Sequence, residues 1–263
     1  MKTERSGCPY RTTGLSFFFR CFYNKCHIQA YMTTKHTIKS FWNRAADENP
    51  YWYVSSFCPY DAERNLEEFW ASGQAIWNDI KRVTGYAPRT GDSVVEIGCG
   101  VGRLTRAIAP AVGRVIALDI SERMLAIARQ GNLRNAAFQV AQGFTLPGIP
   151  DGSADLVLGY CVFQHLPTHA ALKSYLAEMY RVTKPGGIIT FTLVPRDWTT
   201  WLLPAMRLKA YLRERLSRGG PKGIYCKEWV GIRPSASVVR NLSPLVLERR
   251  TLDPGRTLYF GRR

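Results

Sequence analysis

The sequence predicts an α/β fold: a parallel sheet wound right-handedly, with helices on both faces. Three observations predict it. Short apolar runs typical of buried strands alternate with helical patterns of roughly 10 to 15 residues, a glycine cluster closes the first run, and Asp119 closes the second. In such sheets ligands bind beyond the carboxyl ends of the strands, so the chemistry is expected there.

The elements follow in order. From Thr37 to Gly85 the pattern is helical, with Phe41, Trp42, Leu66, Phe69, Trp70, Ile76, Trp77 and Ile80 at helical spacings, and Asn49 to Tyr60 dense in aromatics around Pro50 and Pro59. Ser93 to Ile97 is a continuous apolar run ending in glycines, as in a buried strand followed by a tight turn. Arg103 to Ala111 reads as the next helix. Val115 to Leu118 is the second strand, and Ser121 N-caps a helix through Gln130. Ala137 to Val140, Ala154 to Tyr160 and Ile188 to Val194 are further strands. The helix Ala170 to Val182 stops before Lys184, Pro185, Gly186 and Gly187. Val246 to Thr251 and Thr257 to Gly261 are strand-like around the turn residues Asp253, Pro254 and Gly255, which predicts a hairpin.

The 263 residues suffice for one α/β domain or two small ones. Composition is 46% hydrophobic, 12% aromatic and 21% charged, which excludes a disordered tail, a collagen-like repeat or a disulfide miniprotein. No apolar run approaches about 18 residues, so no transmembrane segment is expected. The formal charge of +16 is uneven: residues 196 to 263 hold 15 Lys or Arg against five acids, whereas residues 32 to 195 hold 16 against 14. An acidic partner is therefore expected to meet the C-terminal quarter. Seven cysteines without a C-x-x-C pair, with Cys8, Cys21, Cys26 and His27 in no common zinc spacing, predict no metal site; thiols in a reducing cytosol, and a cytoplasmic location, are the simpler reading. Residues 1–31 carry five Lys or Arg against one acid and lack periodicity. They read as a disordered basic extension or a start-site artefact, with the mature fold beginning at or just after Met32.

Residues 94 to 102, VVEIGCGVG, place Glu96 two residues before Gly98 and further glycines at 100 and 102. The sixth place of a dinucleotide fingerprint is Arg103, and the Gly-Lys-Ser or Gly-Lys-Thr of a P-loop is missing. What remains is backbone without Cβ atoms where a ligand must lie close. Acids at the ends of the first two strands suit a ligand with ribose hydroxyls and cationic groups but no pyrophosphate.

VVEIGCGVGRLTRAIA, then VIALDIS, then RVTKPGGIITFTL resemble, in order and spacing, the motif series of the class I S-adenosylmethionine-dependent methyltransferases. The resemblance is strongest over Ser93 to Val194. It implies a Rossmann-like, seven-stranded, mostly parallel sheet with a C-terminal antiparallel hairpin, and S-adenosylmethionine as cofactor. It also implies a lid segment over residues 32–92 and a methyltransferase domain over 93–263, with 196–243 inserted to cover substrate. By the resemblance Gly98, Cys99, Gly100 and Gly102 wrap the methionine and adenosine portions of the cofactor, and Asp119 accepts the ribose hydroxyls. Ile120 and Met124 pack the adenine, and Glu96 holds the loop and favours the positive end. Alternatively, Asp119 is a helix N-terminal acid beside Ser121. Where the family often carries an acid for the adenine amino group, this chain has Gln142, followed by Gly143 and Phe144; Gln142 accepts through its amide, Phe144 stacks instead, or Gln142 is a surface residue.

A base near the acceptor would add roughly 10²- to 10⁴-fold to transfer. The candidate is His165, in GYCVFQHLP after the fourth strand, with Tyr160 and Gln164 as pocket lining; a His that caps the loop is the competing reading. Tyr51, Tyr53 and Trp70 are the candidate lid aromatics, able to stack on an aromatic acceptor or meet the sulfonium by cation–π contact, although Phe69 and Trp70 also fit a core stripe. Between Trp198 and Ser217, Trp201, Ala205, Leu208, Leu212 and Leu216 share one helical face. That face covers the acceptor pocket, lies on an anionic membrane surface, or accompanies cations that track nucleic-acid phosphates. The expected function is methyl transfer to O, N or S of a small aromatic or lipophilic acceptor, with an RNA-modifying enzyme and a non-catalytic S-adenosylmethionine-binding protein as alternatives. Nothing in the sequence fixes the oligomeric state.

Overall fold

The computed structural model describes residues 38–55, 66–194, 231–253 and 256–263, all within one compact unit, Ile38–Arg263. The expected extension 1–31, the amphipathic stretch 198–217 with Trp201, and the hairpin turn residues Pro254 and Gly255 lie outside the described residues.

The first described helix, α1, covers 38–48, and α2 is a short helix, Pro50–Val54. The aromatic stretch is helical here because the Asn49 side chain accepts from the Trp52 N–H and proline occupies the first turn, where its missing N–H costs nothing. Helix α3, Leu66–Thr84, buries Phe69, Gly73, Trp77, Ile80 and Thr84, one face at helical period. Its acids Glu67 and Glu68 lie in the first turn and Lys81 and Arg82 in the last, each matched to the helix dipole.

Strand β1, Ser93–Ile97, leads through the glycine turn into α4, Arg103–Ile108, which tightens into a 3₁₀ turn at Ala109–Ala111. Strand β2, Arg114–Asp119, is followed by α5, Glu122–Arg129, capped by the Ser121 hydroxyl accepting from the Met124 N–H. Strands β3, Ala136–Val140, and β4, Ala154–Gly159, come next. A 3₁₀ turn, Phe163–His165, then precedes α6, His169–Val182. Strand β5 spans Thr183–Leu193, α7 is Ala236–Leu242, and β6, Glu248–Asp253, and β7, Arg256–Arg262, close the chain. The sheet order is β3-β2-β1-β4-β5-β7-β6, with β7 alone antiparallel to its neighbours, as expected.

Strand β5 begins earlier than Ile188. Ala154 pairs with Thr183 and Leu156 with Ile188, so the run containing Pro185, Gly186 and Gly187 is absorbed as an irregularity in the ladder. Proline has no N–H to give a ladder and Gly186 takes φ +79°, so a local pattern search places the strand's start after them.

The central strands bury nearly every residue, whereas edge strand β3 is only partly covered. One face packs α6 and α7, through Leu172, Leu176, Met179 and Val239. The other packs α3, α4 and α5, through Trp77, Ile80, Leu104, Ile108 and Leu125. A third cluster joins Phe41, Ala45, Tyr53 and Phe69 to Val101 and Met124, holding α1 to α3 over the glycine turn and α5. Lys39 pairs with Glu122 at 2.7 Å, Arg123 pairs with Asp47, and the Ser121 hydroxyl donates to Asn43 Oδ1 at 2.8 Å. Exposed ion pairs contribute little, about 0 to 1 kcal/mol each, so the apolar cluster carries the docking and these contacts set its register. Among the described residues no helix is long and apolar enough to cross a membrane.

Candidate active site

A cavity of about 290 Å³ opens at the carboxyl ends of β1, β2, β4 and β5. Its wall includes Glu96, Gly98, Cys99, Gly100, Asp119, Ile120, Met124, Gly143, Phe144, Tyr160, Gln164 and His165, together with Ile38, Trp42, Tyr53 and Val54 from α1 and α2.

The floor is the turn after β1. The N–H groups of Gly98 and Cys99 both donate to the Leu118 carbonyl, at 2.6 and 2.9 Å, which ties the turn to β2. Gly98 has φ +72° and Gly100 φ +55°, a region that penalises any Cβ. The space is also taken: a Cβ on Gly98 would run into Val162, and one on Gly100 would meet Val54 at 2.8 Å. At these two positions the missing Cβ atoms make room for the protein's own valines, not only for a ligand. Gly102 N-caps α4 at φ +82° and lies outside this cavity. It lines a smaller one of about 190 Å³ with Tyr51 and Trp70.

Two buried carboxylates stand at the strand ends. Asp119 Oδ2 accepts from the Gly100 N–H and Oδ1 from the Ser121 N–H, both at 2.8 Å. Burial raises its pKa above the ordinary carboxylate value, against those backbone hydrogen bonds. A carboxylate offers about four lone-pair positions, so two backbone donors leave capacity for a ligand. Asp119 also sits beside the helix α5 cap, so the two sequence readings of this residue are compatible. Glu96 accepts from the Thr105 hydroxyl of α4 at 2.6 Å. Burial, opposed by that hydrogen bond and reinforced by Asp119, pushes its pKa from 4.5 up to about 7. Burial likewise raises the Cys99 thiol, whose Sγ approaches the Gly100 carbonyl at 3.7 Å.

Across the cavity, Phe144 packs edge-on against Tyr175, whose hydroxyl donates to the Gly143 carbonyl at 3.0 Å. Gln142 is exposed and outside the lining; only its carbonyl is engaged, by Thr145. Of the lid aromatics, Tyr53 enters the cavity, its hydroxyl donating to Glu48 at 3.1 Å. Tyr51 and Trp70 do not: Tyr51 packs edge-on against Phe69 and Trp70, and Arg106 lies over the Trp70 ring at 4.8 Å.

His165 lies edge-on against Trp42, ring centroids 5.1 Å apart, and its Nε2 is 3.2 Å from Gln164 Nε2. Gln164 Oε1 is buried without a hydrogen-bond partner among the described residues. The Gln164 amide and His165 Nε2 thus share one hydrogen bond, whose direction depends on the histidine tautomer. Gly231, where the described chain resumes, packs against the backbone of Gln164 and His165 so closely that a Cβ there would overlap it.

Arg256, the first residue of β7, also lines the cavity, a position that local sequence patterns do not reveal. Its Nη1 donates to the Tyr160 hydroxyl at 2.7 Å and lies 3.6 Å from Cys161 Sγ. Trp42 was likewise legible only as one residue of a helical stripe.

Residues 95–191 match the family described as Methyltransferase domain. Over 103 residues the chain is 37% identical to a malonyl-[acyl-carrier protein] O-methyltransferase of Serratia marcescens, covering 39% of this chain and 38% of that protein. Over 136 residues it is 29% identical to a ubiquinone biosynthesis O-methyltransferase of Thiobacillus denitrificans, covering 51% and 57%. The chain thus spans well under two thirds of the length of these relatives. Among solved structures, the DhpI–SAM–HEP complex superposes with a TM-score of 0.57 at 19% identity over 89% of this chain and 98% of that one, a likeness of fold.

Proposed function

The chain carries a domain of the class I S-adenosylmethionine-dependent methyltransferases, and on that premise we propose that it transfers a methyl group to an oxygen, nitrogen or sulfur atom of a small aromatic or lipophilic acceptor. The observation that carries this reading is one cavity with buried acids at the ends of β1 and β2 and His165 after β4.

The residues present fit the cofactor. Asp119 retains lone pairs for two ribose hydroxyls, each charge-assisted hydrogen bond contributing about 1.5 to 3 kcal/mol. Ile120, Met124 and Phe144 supply apolar faces for a base, and Glu96 supplies negative charge for a cation. When bound, the sulfonium provides an already activated methyl group, so the protein needs no covalent nucleophile. What the chain supplies is alignment and exclusion of water. Val54, Trp42 and Tyr53 close the cavity from α1 and α2, and Val162 closes it from the segment after β4.

His165 takes the acceptor's proton at a ring nitrogen, with the Gln164 amide and the Trp42 edge contact orienting the ring. The oxygen acceptors named for the two curated relatives support an O–H acceptor for this chain first. Incubation with methyl-labelled cofactor and extracts split into small-molecule, RNA and protein fractions tests the proposal. Label is expected in the small-molecule fraction; label in RNA alone, or in none, would overturn it.

A further inference from the structure

The smaller cavity, of about 190 Å³, shares the glycine turn with the larger one. Gly98, Cys99 and Gly100 line the larger cavity, whereas Val101 and Gly102 line the smaller, between Tyr51 of α2 and Trp70 of α3 on one side and α4 and α5 on the other. Its apolar surface comes from Trp70, Val101, Ile127 and Leu133, and its polar side chains are Tyr51, Arg106 and Gln130. Apolar walls with a few convergent polar groups are what a small-ligand site requires. The volume suits one ring-sized molecule, since a cavity of about 150 Å³ holds benzene.

The polar groups offer donors. Arg106 lies over the Trp70 ring at 4.8 Å, a stack that occupies one face of the guanidinium and leaves the N–H groups in its plane unengaged. Among the described residues Arg106 has no carboxylate partner and no side-chain hydrogen bond, and neither the Tyr51 hydroxyl nor the Gln130 amide is hydrogen-bonded. The carbonyls that end α5 are already engaged: Ile127, Ala128 and Arg129 accept from the N–H groups of Gln130, Gly131 and Asn132. An adjoining cleft shares Leu133 and is lined by Arg129 and Arg134. Among the described residues no acid lines either hollow, so the ground around Leu133 is positive and suits an anion.

We propose that the smaller cavity is a second ligand site, for a small organic oxyanion whose charged end meets Arg106, Tyr51 and Gln130 and whose apolar part lies against Val101 and Leu133. Guanidinium–oxyanion pairing is bidentate and directional, which fixes the anion at the Arg106 edge. Occupation of this site bears on the larger cavity. Tyr51 belongs to α2, whose Tyr53 and Val54 close that cavity, whereas Arg106 belongs to α4 and Gln130 caps the end of α5. A ligand that bridges them holds α2 over the glycine turn. Resting on the methyltransferase reading above, the bound anion therefore tightens the hold on the cofactor, and by linkage the cofactor tightens binding of the anion by the same factor.

The test titrates the full chain, with and without S-adenosylhomocysteine, with benzoate, phenylphosphonate and the uncharged benzamide. At least one acid is expected to bind about tenfold more tightly than benzamide, and the better acid identifies the anion class. When saturating, that acid should tighten binding of S-adenosylhomocysteine about fivefold or more, the low end of ordinary coupling between sites. R106Q should abolish both effects while its affinity for S-adenosylhomocysteine alone stays within about twofold of wild type. Y51F keeps the ring against Phe69 and Trp70 and should weaken the acids but not benzamide, which decides the matter if R106Q fails to fold. Equal binding of all three probes, binding of none, effects undiminished in both variants, or an affinity for S-adenosylhomocysteine indifferent to the acid would overturn the proposal. Wild type that binds the acids through Arg106 but does not bind S-adenosylhomocysteine would instead overturn the methyltransferase reading and leave the anion site standing.

Discussion

The two sides of the cavity are built differently. The β1–β2 side is local: Glu96, the glycine turn, Asp119 and Met124 lie within one strand–turn–helix–strand–helix passage and are joined by backbone hydrogen bonds such as Gly100 N–H to Asp119. The β4–β7 side is assembled from distant parts of the chain, with Trp42 against His165 and Arg256 against Tyr160, the latter pair 96 residues apart. A site made by one contiguous passage is where the proposed cofactor contacts lie. A site made where separate elements converge can change one residue at a time without disturbing the first, so differences in acceptor between related chains are expected on this side.

The largest effect that would break this division is at Asp119. On the proposed cofactor placement, Asp119→Ala removes the acceptor of two ribose hydroxyls and leaves the Gly100 N–H without Asp119, so affinity for S-adenosylhomocysteine is expected to fall about a hundredfold or more by calorimetry. A change under threefold would mean that Asp119 serves only the turn and the helix cap.

On the other side, His165→Ala is expected to lower kcat at least tenfold while cofactor affinity is retained. Unchanged kcat would make His165 a packing partner of Trp42.

A smaller effect sharpens the electrostatics. Between its ordinary value of 4.5 and about 7, Glu96 keeps in the fold a proton that the unfolded chain has released, so this group's contribution to stability is lost as pH rises toward about 7. Above about 7 the carboxylate is charged and favours a cation. Unliganded melting temperature should therefore decline as pH rises through this range while affinity for S-adenosylmethionine increases. In Glu96→Gln both dependences should flatten; if they persist, another group is responsible.

What could be read from the sequence follows the same division. Periodic apolar runs and glycine punctuation located the strands and most helix boundaries, and the Ser121 cap lies where its residue type predicts. The passage from Glu96 to Met124 was legible because its partners are neighbours in the chain. Arg256 was not, because a cation after a turn looks the same whether it meets solvent or Tyr160 across the sheet. Nor was the separation of Tyr53 from Tyr51: both are aromatic residues of α2, but Tyr53 faces the cavity and Tyr51 packs on Phe69 and Trp70. Gly98 and Gly100 line the cavity, and the side chains that border their missing Cβ atoms, Val162 and Val54, are ones no local pattern could specify.

The central claim is that the cavity between β1 and β4 receives an adenosine sulfonium. Isothermal titration of the folded chain with S-adenosylmethionine and S-adenosylhomocysteine tests it most directly. Saturable one-to-one binding, competed by either compound and weakened by Asp119→Ala, is the predicted result; no heat with either compound in a sample of native melting behaviour would contradict it.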